Sequence, residues 1–204
     1  MSLRPQVQGF DLEKMRSFFG SKDERIITAV EKKLAPLWRE EAEEDPTEAT
    51  ETQRAHTEIV HRAVMSGVPF PDLAEESDHH YDVARAFAAT RQKPVRTELA
   101  EWGARTFPDF MERFGDRLPE DCRLLYSFLL EGRPLFGTKV DRRSGPYAFL
   151  SRAEAIRLAA GFQEAQSVEP FLQGTRYASG FVDVMIRVLR NLDGKGLDVW
   201  FYIH

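Results

Sequence analysis

Residues 181–204 read FVDVMIRVLRNLDGKGLDVWFYIH, and this stretch decides the fold class. Its first part repeats apolar side chains every three or four residues, the spacing of one face of an α-helix: Phe181, Met185, Val188 and Leu192. The DGKG turn follows, and the final run LDVWFYIH is rich in the aromatic and β-branched residues that favour strands. The chain is therefore predicted to end in a helix followed by a strand.

Two further segments predict strands that pair with this terminal run. VQGF at residues 7–10 precedes Asp11, a good helix N-cap, and YAFL at residues 147–150 precedes Ser151. Ser151 and Glu154 match a capping box, which predicts the start of a helix. Most of the remaining chain has helical periodicity. We therefore predict an α+β fold, predominantly α-helical, with a small sheet formed by the N-terminal, Tyr147–Leu150 and C-terminal strands.

The first long helix carries two signals about its own limits. Ser21 precedes an apolar stripe that includes Ile27 and Val30, so Ser21 is expected to cap this helix. Pro36 lies inside the same stripe. Because a proline inside a helix removes a hydrogen bond and clashes with the preceding turn, we expect a kink or a break near Ala35.

Length and loop composition predict one domain. A chain of 204 residues fits a single domain of the larger common size, and it contains no internal repeat or low-complexity linker. The longest irregular stretch, GRPLFGTKVDRRSGP at residues 132–146, combines glycines, prolines and basic side chains. We expect a single globular domain over residues 1–204, and residues 132–145 are the place where a sub-division would fall.

Composition excludes several classes of function. A net charge of −5 disfavours broad binding to nucleic acid or acidic membranes, which requires clustered Lys and Arg. Cys122 is the only cysteine, so an intramolecular disulfide cannot form. No run approaches the ~18 apolar residues of a membrane span, and MSLRPQVQ lacks the apolar segment of an export signal. We expect a cytoplasmic protein that binds neither nucleic acid nor membrane.

Both ends of the chain resemble small bacterial proteins of the YfbM-like kind and related actinobacterial domains of unknown function. The shared features are DLEKM at residues 11–15, GPYAFLSRAEA at residues 145–155, and the closing helix, glycine-rich turn and strand that ends in WFYIH. Together they cover about a third of the chain. The resemblance implies an α+β domain and carries no activity, cofactor or site residue with it.

Histidines and carboxylates provide the metal candidates. A zinc or iron site needs three or four N or O donors that converge at about 2 Å. His56 and His61 are unsuited to sharing an ion, because a separation of five residues places them about 140° apart around a helix. A mixed site remains geometrically allowed, with surface and capping histidines as the alternative, and its candidate ligands are Glu58, His61, His79, His80 and Asp82.

Basic side chains in the irregular stretch provide the anion candidates. Arginine and lysine on a glycine-rich backbone can form a concave site for an oxyanion. The candidates here are Arg133, Lys139, Arg142 and Arg143. The alternative is that they are solvated or pair with the acidic segment at residues 40–51.

Catalytic and cofactor motifs are lacking in the sequence. Neither a phosphate-binding G-x-x-x-x-G-K-[ST] nor a dinucleotide-binding G-x-G-x-x-G occurs, and no G-x-S-x-G is present. Cys122 lies beside Glu120 and Asp121, which disfavour a thiolate, so we interpret it as a buried inert thiol. We therefore predict no cofactor and no catalytic residue.

Three hypotheses about function follow. The leading one is a non-enzymatic bacterial binding protein, in which the acidic segment at residues 40–51 and the basic stretch at residues 132–145 contact a protein partner. The second is a metal-dependent or anion-binding enzyme that uses the candidates named above. The third is a homodimer whose terminal β-strand pairs across the two-fold axis, since exposed edge strands invite such pairing.

Overall fold

The fold is that of a computed structural model, which describes residues 5–67, 78–94, 99, 102–133, 147–168 and 176–203. Within these residues the chain forms eight α-helices and four β-strands. In chain order they are β1 (Pro5–Phe10), α1 (Leu12–Arg16), α2 (Glu24–Glu44), α3 (Pro46–Ser66), α4 (Asp78–Ala89), β2 (Lys93–Pro94), α5 (Thr106–Phe114), α6 (Glu120–Glu131), β3 (Tyr147–Leu150), α7 (Arg152–Val168), α8 (Arg176–Gly194) and β4 (Asp198–Ile203). This confirms a predominantly α-helical α+β fold.

The sheet is antiparallel throughout and has the strand order β2-β1-β4-β3. β1 pairs with β4 from Pro5 opposite Ile203 to Phe10 opposite Asp198. The three strands expected from the sequence are thus confirmed, and the structure adds the short β2 at one edge. β4 lies between β1 and β3, so the expectation that the terminal strand offers a free edge for a homodimer is wrong.

Both faces of β4 are buried, as its apolar sequence requires. Val199 and Phe201 lie on the face that joins the main hydrophobic cluster. Trp200 lies on the opposite face, where its ring stacks on Tyr147 at 5.0 Å and meets the edge of Phe10 at 5.8 Å. Two-sided burial of this kind requires that both faces of the sheet are covered at this strand.

The contacts between Cα atoms divide the described residues into two compact units. The mixed unit, as we call the first, draws its described residues from 1–10, 93–133 and 142–204 and contains the sheet. The helical unit draws them from 11–92. The expectation of a single domain over 1–204 stays a prediction, and most of the proposed sub-division at 132–145 lies outside the described residues.

Aromatic rings hold the core of the mixed unit together. Phe107, on α5, meets Phe181 edge to face at 5.1 Å, and Phe110 lies 5.7 Å from Phe162 of α7. Tyr126 of α6 is fully buried, and its hydroxyl donates a hydrogen bond to the Phe107 carbonyl at 3.0 Å. The rings therefore tie four helices to one face of the sheet.

The helical unit is built on the antiparallel hairpin of α2 and α3. Asp45 ends α2 and caps α3, because its carboxylate accepts hydrogen bonds from the backbone N–H groups of Thr47 and Glu48. Gly67 ends α3 with φ of 77°, the left-handed conformation that glycine adopts without strain. Both limits of α3 are thus set by residues at its ends, through the Asp45 side chain at the start and the Gly67 backbone at the finish.

The expected cap of α2 and the expected break near Ala35 are wrong, whereas a kink at Pro36 stays a prediction. Asp23, and not Ser21, is the N-cap, and its carboxylate accepts a hydrogen bond from the Arg25 backbone N–H at 3.0 Å. The helix also continues from Glu24 to Glu44 through Pro36. Pro36 is exposed, so water can hydrogen-bond the carbonyl group that lacks a partner one turn earlier.

Arg133 holds the outer edge of β3. Its backbone N–H donates to the Tyr147 carbonyl at 2.9 Å, and its guanidinium lies between the rings of Phe128 and Phe149 at 4.7 and 4.5 Å. The guanidinium also pairs with Glu154 at 2.8 Å. One side chain therefore links α6, the sheet edge and α7.

The capping box predicted at Ser151 is confirmed and is joined to Arg133. Glu154 Oε2 accepts hydrogen bonds from the Ser151 backbone N–H at 2.8 Å and from its hydroxyl at 2.9 Å. Burial raises the pKa of the Glu154 carboxyl, but the hydrogen bonds from Arg133 and Ser151 outweigh burial and hold the pKa below its ordinary value.

No helix among the described residues is long and apolar enough to span a membrane.

We predict that Glu154→Gln lowers the free energy of unfolding by about 1–3 kcal/mol at pH 7, because a neutral amide accepts weaker hydrogen bonds than a carboxylate. Since folding lowers the Glu154 pKa, the stabilisation is present above the ordinary value of 4.5 and is lost as the pH falls below it. Urea unfolding at pH 7 and pH 3 measures this, with Glu112→Gln at an exposed position as the control. A loss that is equal at both pH values would contradict the role of the charge.

Candidate functional site

The structure gathers three of the five histidines where the middle of α3 meets the start of α4. His56 occupies one position of the buried stripe of α3, which runs Ala49, Thr52, His56, Val60 and Ala63, and its side chain is completely buried. The His79 ring meets the His56 ring edge to face at 5.0 Å. We call His56, His79, His80, Asp82 and Trp38 the histidine cluster.

A tryptophan determines the tautomer of His56. Trp38 of α2 donates a hydrogen bond from Nε1 to His56 Nδ1 at 3.0 Å. Because an indole N–H is only a donor, Nδ1 must carry its lone pair and the proton of the neutral ring must lie on Nε2. Nε2 is buried without a hydrogen-bond partner, and the nearest carboxylate oxygen, on Asp82, lies 4.0 Å away.

Burial keeps His56 neutral. Burial, with smaller contributions from the nearby His79 and His80, lowers the pKa of His56 to about 4. Burial likewise lowers the pKa of His80, and the charges of His79 and Arg62 add to the effect. At neutral pH the contact between His56 and Asp82 is therefore a contact of a neutral ring with a carboxylate, and it is not an ion pair.

The predicted metal ligands are only partly brought together. His79, His80 and Asp82 belong to the histidine cluster, whereas His61 is exposed on α3. Glu58 forms an ion pair with Arg62, one turn along the same helix, at 2.7 Å. Among the residues that the structure describes, no three or more His, Cys, Asp or Glu side chains form a group that could hold a metal ion. The mixed metal site has no geometric support in this part of the chain.

Sequence reasoning missed the residue at the centre of the cluster. The angle between His56 and His61 argues against a shared ion, yet the place of His56 in the apolar stripe of α3 is itself a signal of burial. The partnership with Trp38 has no sequence signal, because it depends on the antiparallel contact of α2 with α3.

The predicted anion site falls mostly outside the described residues. Lys139, Arg142 and Arg143 lie there, so their placement stays a prediction. Arg133 is described, and it pairs with Glu154 and not with the acidic segment at residues 40–51. Its charge is therefore already balanced inside the mixed unit.

Cys122 is buried, as the sequence indicated. Its side chain is completely buried on α6, and burial raises the pKa of the thiol to about 11. A methyl group at Gly161 of α7 would collide with the sulfur, so the two helices are in close contact here. A thiol this protected does not serve as a nucleophile at neutral pH.

The acidic segment of the sequence is placed at the tip of the α2–α3 hairpin. Its exposed carboxylates belong to Glu40, Glu43, Glu44, Asp45, Glu48 and Glu51, which we call the acidic tip. None of them forms an ion pair within the part of the chain that the structure describes. In the same segment, Glu41 Oε2 is shielded from solvent and receives no hydrogen bond.

Comparisons with known proteins supply no relative from which a function follows. No family model matches the chain, no curated protein does, and no solved structure does. The resemblance of the two chain ends to YfbM-like proteins therefore stays a prediction. The function has to be argued from the residues themselves.

We predict that His56 makes the protein less stable in mild acid. Because folding lowers its pKa from 6.5 to about 4, its contribution is complete above pH 6.5 and is lost as the pH falls from 6.5 to 4. The free energy of unfolding should fall by about 2 kcal/mol between pH 7.5 and pH 5, since one pKa unit corresponds to about 1.4 kcal/mol.

The matched variant is His56→Asn, whose amide oxygen can accept the Trp38 hydrogen bond but does not titrate. Urea unfolding of both proteins at the two pH values, followed by tryptophan fluorescence, isolates the contribution of His56. If the variant loses as much stability as the wild type, His56 is not the group responsible.

Proposed function

We propose that the protein is a non-enzymatic bacterial binding protein that acts in the cytoplasm, and that the acidic tip receives a basic segment of a partner protein. One observation carries the proposal: six exposed carboxylates lie together at one end of a helical hairpin, and none forms an ion pair with the described residues. Surface carboxylates spread over a protein would instead be interspersed with cations.

Glu41 supports this assignment independently of charge. A carboxylate oxygen that is shielded from water and accepts no hydrogen bond is costly, because it has given up solvation without a replacement. A partner's ammonium or guanidinium group would supply the missing donor once the Glu41 side chain turns toward solvent. The acidic tip thus lies beside a carboxylate, on Glu41, that lacks a hydrogen-bond donor.

The geometry of the hairpin suits recognition of a partner. Asp45 accepts hydrogen bonds from two backbone N–H groups of α3, so the backbone of the tip is held in one conformation. A pre-ordered surface loses little conformational entropy on binding. Charges placed on it accelerate encounter and select the partner by sign.

Location and partner class follow from composition. A single cysteine suits a reducing compartment, and the net charge of −5 makes nucleic acid an unsuitable partner. A basic protein segment is the complementary ligand.

We predict that a fluorescein-labelled peptide of alternating Lys and Ser binds the full chain saturably, and that Glu43→Gln/Glu44→Gln/Glu48→Gln weakens binding by about tenfold at ~0.15 M salt. Fluorescence anisotropy measures the affinity. Binding should also weaken as salt rises, because the charges are exposed and therefore screened.

The control is Glu13→Gln/Glu112→Gln/Glu131→Gln, which removes the same charge from exposed positions outside the acidic tip. Equal weakening by the two triple variants would show that the peptide senses net charge only. That result would overturn the acidic tip as the binding surface.

A further inference from the structure

The helical unit contains a second candidate site, which is a pocket. A pocket of about 290 Å³ lies where the start of α2 meets the end of α4. Phe18, Ile26 and Ala29 supply its apolar lining, and Arg25, Asp23 and Arg91 supply its charged groups. Neither the metal candidates nor the acidic tip includes any of these residues.

Arg91 is the group that this pocket leaves unsatisfied. Its guanidinium carbon lies 4.7 Å above the centre of the Phe18 ring, and its Nε is buried without a hydrogen-bond partner. Within the described part of the chain, it forms no ion pair with a carboxylate. A buried N–H donor without an acceptor is rare in folded proteins and is usually satisfied by a water molecule or a ligand.

The other arginine of the pocket is already neutralised. Arg25 makes a bidentate contact with Asp23, with Nε at 2.9 Å from Oδ1 and Nη2 at 2.8 Å from Oδ2. These two charges cancel, so the pocket retains the single positive charge of Arg91. A monovalent anion is the ligand that balances it.

Shape and lining restrict the chemistry of that anion. A guanidinium fork matches the planar geometry of a carboxylate, and Phe18 already holds the fork in place by stacking. The volume is at the lower end of the range of small-molecule pockets, about 300–1,000 Å³. The apolar wall favours a hydrocarbon body over a second polar group.

We propose that Arg91, held over Phe18, binds the carboxylate of a small apolar monocarboxylic acid in this pocket. Phe18, Ile26 and Ala29 cover the hydrocarbon part, and the Arg91 guanidinium pairs with the carboxylate. The site lies at the end of α2 opposite the acidic tip, about 30 Å away at 1.5 Å per residue. The outcome of the test below does not bear on the test of the acidic tip, because the two sites share no residue.

The test titrates the full chain with phenylacetate, and with phenylacetamide as the neutral analogue of the same shape. Isothermal titration calorimetry and ligand-observed NMR should show saturable binding of phenylacetate and binding of the amide at least ~10-fold weaker. Inorganic phosphate is the third probe, because it carries charge without an apolar body. Phosphate binding in place of phenylacetate would overturn the assignment of a carboxylic acid.

Two variants and one control locate the site. Arg91→Gln should abolish phenylacetate binding, whereas Arg54→Gln, which removes an exposed arginine of α3, should leave it unchanged. Ala29→Phe is the second variant, because it fills the pocket from an exposed position of α2 and leaves Arg91 intact. Phenylacetate binding that survives in both pocket variants, or is undetectable in the wild type, would refute the proposal.

Discussion

The mixed unit depends on the burial of β4 from both sides. Val199, Trp200 and Phe201 are each at most 2% exposed, although neighbouring side chains along a strand point to opposite faces. Such a strand cannot cover a core with one face only, so both faces of the sheet must be covered at β4. β4 also lies inside the sheet, where β1 and β3 supply hydrogen bonds on its two edges. The chain consequently joins its first strand to its last.

Because β3 pairs with β4 on one side only, its outer edge needs other hydrogen-bond donors, and Arg133 supplies them. β3 pairs with β4 on one side, and its other edge would expose carbonyl groups to whatever strand came near. Arg133 occupies that edge with a backbone N–H and a guanidinium N–H, bound to the carbonyls of Tyr147 and Phe149. The charge needed for this role is balanced by Glu154. An arginine that looks like an anion ligand in the sequence is thus part of the sheet.

In the helical unit, the polar imidazole ring of His56 lies inside the apolar stripe of α3. His56 is tolerated because Trp38 donates to one ring nitrogen, which leaves the proton on the other. This arrangement also limits the metal chemistry of the ring. A metal ion needs a nitrogen lone pair, and the lone pair at Nδ1 is already used by Trp38 while Nε2 carries a hydrogen. His56 is therefore a structural residue, and its burial makes the folded protein less stable in acid.

Sequence reasoning succeeded where the physical cause is local. The capping box of Ser151 and Glu154 depends only on residues within one turn of the chain. The break expected near Ala35 does not occur, because Pro36 is exposed and water can reach the freed carbonyl. The contacts of Trp38 with His56 and of Arg91 with Phe18 join segments far apart in sequence, so no periodicity could indicate them.

The two proposed sites differ in how strongly the structure requires a ligand. The carboxylates of the acidic tip are exposed, and water solvates them fully in the absence of a partner. Their arrangement favours a positively charged ligand, but the carboxylates do not require any ligand. Arg91, by contrast, has an Nε–H that has lost water and gained no acceptor, and its guanidinium has no carboxylate partner among the described residues. A folded chain retains such a cost more readily at a binding site than in a packed core, because an anion that pairs with the guanidinium offsets part of it.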